Sequence, residues 1–336
     1  MKAGNLSALD DSKPGLGLAV EGFKPAWWIT SPHAQSIWAA FLRRRPRLPL
    51  TRERLELPDG DFVDLDWTPL ARGPLILVFH GLEGSNHSRY AMGTLKAIKR
   101  HGWQGAIMYF RGCSGEINRL ARSYHSGDTG DMRFLFQCLK NRYPGRRLAA
   151  IGFSLGGNAL LKYLGEAGNG SLLSAAAAVS VPFELDRAAR QMEVGSSRIY
   201  QWYLIRRLRA KAKAKGLASP GELRRLRTFR QFDDRITARL HGFEGVDDYY
   251  RRASCRQYLR GITVPTLIVH AKDDPFLPPE AIPSPDEVSK TVQLEISPRG
   301  GHVGFVSGKT PLRPRFWLES RIPRFLDRVL VVNRAP

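Results

Sequence analysis

Residues 149–164, AAIGFSLGGNALLKYL, set one serine inside the frame Gly152-Phe153-Ser154-Leu155-Gly156. Ala149, Ala150, Ile151 and Phe153 read as the end of a buried strand. Leu160, Leu161 and Leu164 then recur at helical spacing. A strand that turns into a helix within two residues needs unusual backbone angles and close strand–helix packing, which glycine accepts at little cost. The residue at the apex is held out of the sheet with its side chain exposed. In this context the frame reads as a nucleophile elbow, and its nucleophile is Ser154.

The flanking sequence supplies the sheet such an elbow needs. Residues 54–67 alternate as a hairpin about Asp59-Gly60, with Val63, Leu65 and Trp67 on one face and Asp64 and Asp66 on the other. Apolar, β-rich runs follow at 74–79, 105–110, 147–153 and 174–182. Helix-like stretches at 88–100, 129–142 and 155–166 lie between them. An antiparallel entry followed by strand–helix alternation predicts an α/β fold: a mostly parallel central sheet with helices on both faces.

The alternation breaks at about 183–259, where the sequence is polar, basic and helix-like. Strand character returns at 263–270 and 291–296, and an amphipathic helix follows near 315–330. The pattern predicts an N-terminal extension over 1–22 and a single domain over 23–336, interrupted by a helical cap insertion. Such an insertion sits above the carboxyl ends of the strands, where ligands bind in open α/β sheets.

At 336 residues and 43% apolar, the chain can bury a sizeable core. Cys113, Cys138 and Cys255 show neither close pairing nor metal-ligand spacing, which argues for a reducing compartment and against a disulfide frame. No signal-peptide core is present, and no run approaches the ~20 apolar residues of a spanning helix. The expectation is a soluble, cytoplasmic protein.

The net charge of +21 is unevenly placed, because residues 198–230 hold 11 Lys and Arg against one acid, Glu222. No nucleic-acid module signature accompanies it, so no nucleic-acid partner is expected. The run reads first as a solvated basic helix face. The alternative is peripheral contact with an anionic membrane, with Tyr200, Trp202, Tyr203, Leu204 and Ile205 packing inward or touching an acyl chain.

A serine hydroxyl needs a base to take its proton and an acid to orient that base. On this fold the chain order is Ser, then Asp or Glu, then His. Among eight histidines, His302 follows the final strand in a glycine-flanked loop, whereas His270 precedes the acid. Asp273 and Asp274 both follow the strand at 263–270. Asp274 is preferred, since it heads the turn Asp274-Pro275-Phe276-Leu277-Pro278, where proline stiffens the loop. The backbone N–H groups of Leu155 and Leu82 are the expected oxyanion donors. His80 and His125 are candidate substrate-lining residues. This chemistry requires no cofactor and no metal.

The segments HGLEGS (80–85), FRGCSGEINRLARSYHSGDTGD (110–131), GFSLGGN (152–158), AKDDPF (271–276) and GGHVGF (300–305) together resemble the YheT-type esterases of the α/β-hydrolase superfamily, the AB-hydrolase 4 family. The similarity runs from about Phe23 to about Gly304, with residues 232–254 in the expected place in the cap. It implies Ser154, Asp274 and His302 as the charge-relay set. It also implies a carboxylic ester hydrolase of poorly defined substrate; the expected reaction is cleavage of a short- to medium-chain acyl or lipid ester through an acyl-enzyme. The alternatives are a thioesterase, amidase or lipid acyltransferase on the same triad, or a non-catalytic protein that binds a membrane or partner through the basic cap. A related acyltransferase signature places an aspartate five residues after a histidine. The matching position after His125 is Gly130, which argues against acyl transfer.

Overall fold

Strands buried on both faces carry near-continuous apolar sequence, and the predicted runs behave this way. The computed structural model describes residues 23–331; the extension expected over 1–22 lies outside the described residues. The strands are β1 (Thr51–Glu56), β2 (Phe62–Trp67), β3 (Leu75–Phe79), β4 (Gln104–Met108), β5 (Leu148–Phe153), β6 (Ala175–Val179), β7 (Thr266–Ala271) and β8 (Val292–Ser297). They form one sheet in the order β1-β2-β4-β3-β5-β6-β7-β8. Strand β2 pairs antiparallel with β1 and β4, and the remaining pairings are parallel. The expected mostly parallel α/β sheet is present.

Helices α1 (Pro32–Ile37), α2 (Arg89–Arg100), α3 (Gly130–Arg142) and α4 (Leu155–Ala167) precede β6. Between β6 and β7 lie α5 (Leu185–Gln191), α6 (Ser197–Ala214), α7 (Pro220–Arg225), α8 (Phe229–Phe232) and α9 (Val246–Ala253). Helix α10 (Leu318–Val331) follows the last long strand. The two-residue period of β3 sends Leu75, Leu77 and Phe79 to one face, where Phe136 of α3 and Leu160 of α4 cover them. It sends Ile76 and Val78 to the other, against Leu95 of α2 and Phe325 of α10. The alanine run of β6 has little intrinsic strand preference. Its short side chains let α4 and α10 approach from opposite faces.

The hairpin forms about Gly60, whose φ is +82°, but its polar face departs from a simple in–out alternation. Asp64 and Asp66 are as buried as Val63 and Leu65. Arg54 and Ser114 hold Asp64, while Arg52, Asn86 and Tyr109 hold Asp66. Buried Arg111 does the same for Asp61 and Asp131. Buried charge is tolerated here because each carboxylate is paired and hydrogen-bonded.

The helical segment between β6 and β7 has small cores of its own. Ile205, Ala212, Leu223, Phe232 and Ile236 form one, and Leu185, Val246, Tyr249 and Tyr250 another. Its two ends meet, since the Arg256 N–H donates to the Phe183 carbonyl at 3.2 Å. Among the described residues, no helix is long and apolar enough to cross a membrane.

Candidate active site

Strand β5 ends at Phe153 and α4 begins at Leu155, which leaves Ser154 alone at the corner with φ +51° and ψ −120°. A non-glycine residue holds such angles only where its surroundings impose them. Here the Ser154 N–H donates to the Val179 carbonyl at 2.9 Å, and its carbonyl accepts from the Asn158 N–H at 3.0 Å. The strain therefore sits on the serine, and the glycines serve close approach. A Cβ on Gly152 would lie 2.5 Å from the Gly156 oxygen, and one on Gly156 2.5 Å from the His80 oxygen.

The loop after β3 faces this corner. Among the described residues, no acceptor takes the N–H of Leu82 or of Leu155. Beneath the loop, His80 is fully buried and outside the cavity wall. Its Nδ1–H donates to the Gly81 carbonyl at 2.7 Å, and its Nε2 accepts from the Phe110 N–H at 3.2 Å. Burial pushes the imidazole down to about 4. His80 supports the loop after β3 from below and lines neither cavity beside Ser154.

His302 rides a loop after β8 in which Gly301, Val303 and Phe305 all have positive φ. Side chains from distant elements hold that loop. The His302 N–H donates to Ser36 Oγ at 2.8 Å, and the Val303 N–H to Ser180 Oγ at 2.9 Å. The Gly301 N–H donates to Asp273 Oδ1 at 2.9 Å. The imidazole stacks on Phe276, with centroids 3.9 Å apart, and its Nδ1 lies 2.9 Å from Asp274 Oδ2. Of the two neighbouring acids, Asp274 faces the histidine and Asp273 holds its loop.

Burial pushes the Asp274 carboxyl up. The charge and hydrogen bond of His302, with His270 and the Phe276 N–H, outweigh that and hold it below its ordinary value. Asp273 moves the other way, chiefly through burial.

Ser154, His302, Asp274, Leu82 and Leu155 line a partly open cavity of about 150 Å³ beneath the helical segment, with mostly apolar walls such as Leu185, Met192, Leu208 and Ile236. Ser154 and His302 also border an open cleft of about 680 Å³ on the side of α1. His125 does line the cavity beneath the helical segment. Its Nδ1 accepts from the Gly127 N–H at 3.2 Å and its ring lies 4.7 Å from that of His241, which shares the wall. Among the described residues, no group of His, Cys, Asp and Glu side chains is placed to hold a metal ion.

A family profile described as "alpha/beta hydrolase fold" matches residues 74–309. A protein of Escherichia coli strain K12 named "Putative esterase YheT" is 44% identical over 319 residues, which span 92% of this chain and 94% of that one. The chain belongs to the α/β-hydrolase family. This hydrolase is also 28% identical over 310 residues to the mouse protein named Phospholipase ABHD3, spanning 88% of this chain and 75% of that one. Its fold is similar to that of the Pyrococcus furiosus esterase Pf2001, with a TM-score of 0.57 at 16% identity over 84% of this chain and 93% of the other.

The basic run of the hydrolase has two faces. Lys211 Nζ reaches Glu83 Oε1 at 2.6 Å, and Arg207 Nη2 reaches the Glu83 carbonyl at 2.8 Å. Lys215 Nζ donates to Asn118 Oδ1 and to the Arg122 carbonyl, each at 2.7 Å. These cations clamp α6 onto the loop after β3 and the loop after β4, so they do not belong to a solvated face. Of the five aromatic and aliphatic residues expected to pack inward or touch an acyl chain, Ile205 is buried, Leu204 lines the cavity and Tyr200 hydrogen-bonds His33. Trp202 and Tyr203 do not pack inward but are exposed, Tyr203 at the cleft that Ser154 also borders.

Several residues of the site escape sequence reasoning. Ser36, Ser180, Glu83, Lys211 and His241 act through partners far away in the chain, and no local pattern marks them. Asn158 stood in a quoted motif without a role. It is fully buried, donates to the carbonyls of Ser126 and Ala253 at 2.8 Å each, and accepts from the Cys255 N–H at 2.9 Å. It thereby ties the elbow helix to the end of the helical segment.

Proposed function

We propose that this hydrolase is a serine esterase that cleaves short- to medium-chain acyl esters, lipid esters included. The observation that carries the reading is His302 Nδ1 at 2.9 Å from a buried Asp274 carboxylate, in the wall of the cavity that also holds Ser154. A carboxylate only accepts, so Nδ1 carries the proton and Nε2 keeps its lone pair. Nε2 takes the hydroxyl proton as Ser154 Oγ bonds to the ester carbonyl carbon. The carbonyl π electrons move onto oxygen, where the N–H groups of Leu82 and Leu155 stabilise the charge. Collapse expels the alcohol, which takes the proton from His302. Water, deprotonated by the same Nε2, then frees the acid and restores Ser154.

The relatives' names, a putative esterase and a phospholipase, support the ester class. Apolar walls support an acyl chain as the buried group, and the small volume supports a short or medium one. The outward-facing cations among residues 198–230, such as exposed Arg206, support peripheral contact with an anionic membrane.

The test is labelling by a fluorophosphonate probe together with an ester panel graded by chain length. The protein takes the probe and hydrolyses esters, whereas Ser154→Ala does neither. A protein inert to both is a non-catalytic binder. Faster turnover of matched thioesters or amides would reassign the bond cleaved, and delivery of the acyl group to a lipid alcohol would mark an acyltransferase.

A further inference from the structure

We infer that the mouth of the open cleft is a docking face for an anionic lipid bilayer, built from two segments far apart in the sequence. On α6, Ile199, Trp202, Tyr203 and Arg206 follow helical spacing and form one outward stripe. Ile199 and Trp202 are 67% and 62% exposed. Across the cleft, the helical turn after α1 presents Phe41 and Leu42, 53% and 62% exposed, beside Ile37. The rings of Phe41 and Tyr203 meet edge-on with centroids 6.1 Å apart, which joins the two lips into one apolar surface.

Single exposed apolar residues are ordinary on a protein surface. Six on two touching lips are a patch, and such patches mark interaction sites. This one stands at the chemistry, because Ile37, Phe41 and Tyr203 line the cleft that Ser154 and His302 also border.

Charge narrows the occupant to an anionic lipid layer. Arg206 and Arg209 continue the α6 lip toward its C-terminus, and exposed Arg44, Arg45 and Arg47 continue the other. The cleft itself is lined by Arg45, Arg89 and Arg207. Its one carboxylate, Glu83, is already held by Lys211. Aromatic and aliphatic tips ringed by arginine suit the boundary between head groups and acyl chains, where the tips enter apolar material and the guanidinium groups meet phosphates. The basic run as a whole is not the docking element, since its inward cations clamp α6 to the body and half of the lip comes from residues 37–47.

The inference rests on the esterase reading only for why a lipid surface is useful. Binding is therefore measured with the Ser154→Ala protein, so that neither result depends on the other. The full chain is sedimented with vesicles of phosphatidylcholine alone and of phosphatidylcholine mixed with phosphatidylglycerol. At low salt, binding to the mixed vesicles is expected to be tenfold stronger or more. At about 1 M salt, where the Debye length is about 3 Å, that preference collapses.

Ile199→Ser with Trp202→Ser, and separately Leu42→Ser, each weaken binding about tenfold while the thermal midpoint by circular dichroism holds. Arg206→Gln with Arg209→Gln does the same. Arg224→Gln with Arg225→Gln, an equal charge loss in the same basic run, changes binding by less than twofold. Equal affinity for both vesicle types, no binding at low salt, or equal effects of the two arginine pairs would overturn the inference. So would sedimentation velocity showing that the lip variants turn a self-associated protein into monomers, since the face would then belong to a second copy of the chain.

Discussion

The elbow and the cap helix α6 both border Ser154, yet different forces hold them in place. At the elbow the constraints are backbone contacts: glycine against carbonyl, Ser154 N–H on the Val179 oxygen, and a strained φ with no neighbour able to yield. At α6 they are side-chain contacts: Ile205 and Ala212 in a small apolar core, Lys211 on Glu83 and Lys215 on Asn118. Ser154 thus lies between a floor set by backbone contacts and a covering helix, the lid, set by side-chain contacts.

The largest effect belongs to the floor. Ser154→Ala should lower ester turnover by about 10⁴-fold or more without shifting the thermal midpoint, because one exposed hydroxyl is removed. Retained turnover would detach the elbow from the chemistry. Asp274→Asn should cost about 10³–10⁴ in kcat by letting His302 take the wrong tautomer. Asp273→Asn should cost about tenfold, since it loosens only the loop bond to the Gly301 N–H. A reversed order would show the two acids exchanging roles in solution.

Acid tests whether floor and lid fail together. Burial pushes His80, His241 and His270 down to about 4 and His125 to about 3, so the folded protein keeps all four neutral. The unfolded chain takes up protons below about pH 6.5. Stability is therefore complete above that pH and falls as pH drops toward 4, by at most about 1.4 kcal/mol per pH unit for each group. His80 and His270 lie under the floor, whereas His125 and His241 meet where the lid rests. Proteolytic cleavage within the helical segment at a higher pH than the loss of the far-ultraviolet circular dichroism signal places the first failure at the lid; activity does not report this, because a proton on His302 Nε2 stops turnover with the fold intact. Coincident loss would make the two regions one cooperative unit and dissolve the contrast.

The smallest effect comes from the clamp. Lys211→Met should lower kcat for a small soluble ester by about tenfold, with KM within about twofold, because Glu83 follows directly on the Leu82 N–H. Adding Glu83→Gln should recover part of the loss, as expected of a coupled pair. Independent, additive losses would show that the clamp does not act through the loop after β3.

Local pattern made the floor legible. A strand, two glycines, a serine and a leucine-rich helix lie within sixteen consecutive residues, and Asp274 and His302 each sit just past a run of strand character. What stayed hidden depends on contacts between distant residues. Ser36 and His302 are 266 positions apart, and Glu83 and Lys211 are 128 apart. The burial of Asp64 and Asp66 is invisible in the sequence because alternation reports which residues share a side and is silent on what covers that side. The basic run looked uniform because composition carries no direction. Helical spacing separates Trp202 from Lys211 only once the partners of one face are known.

The insertion leaves the body after Phe183 and returns at Arg256, and one backbone hydrogen bond joins the two points. Its doorway is a single seam, stitched to the elbow helix by Asn158. A lid of another length spliced between those residues enters and exits where the present one does, and no strand changes its place in the sheet. For grafting, the helical segment is a cassette with one backbone entry and exit, and Ser154 is part of the chassis.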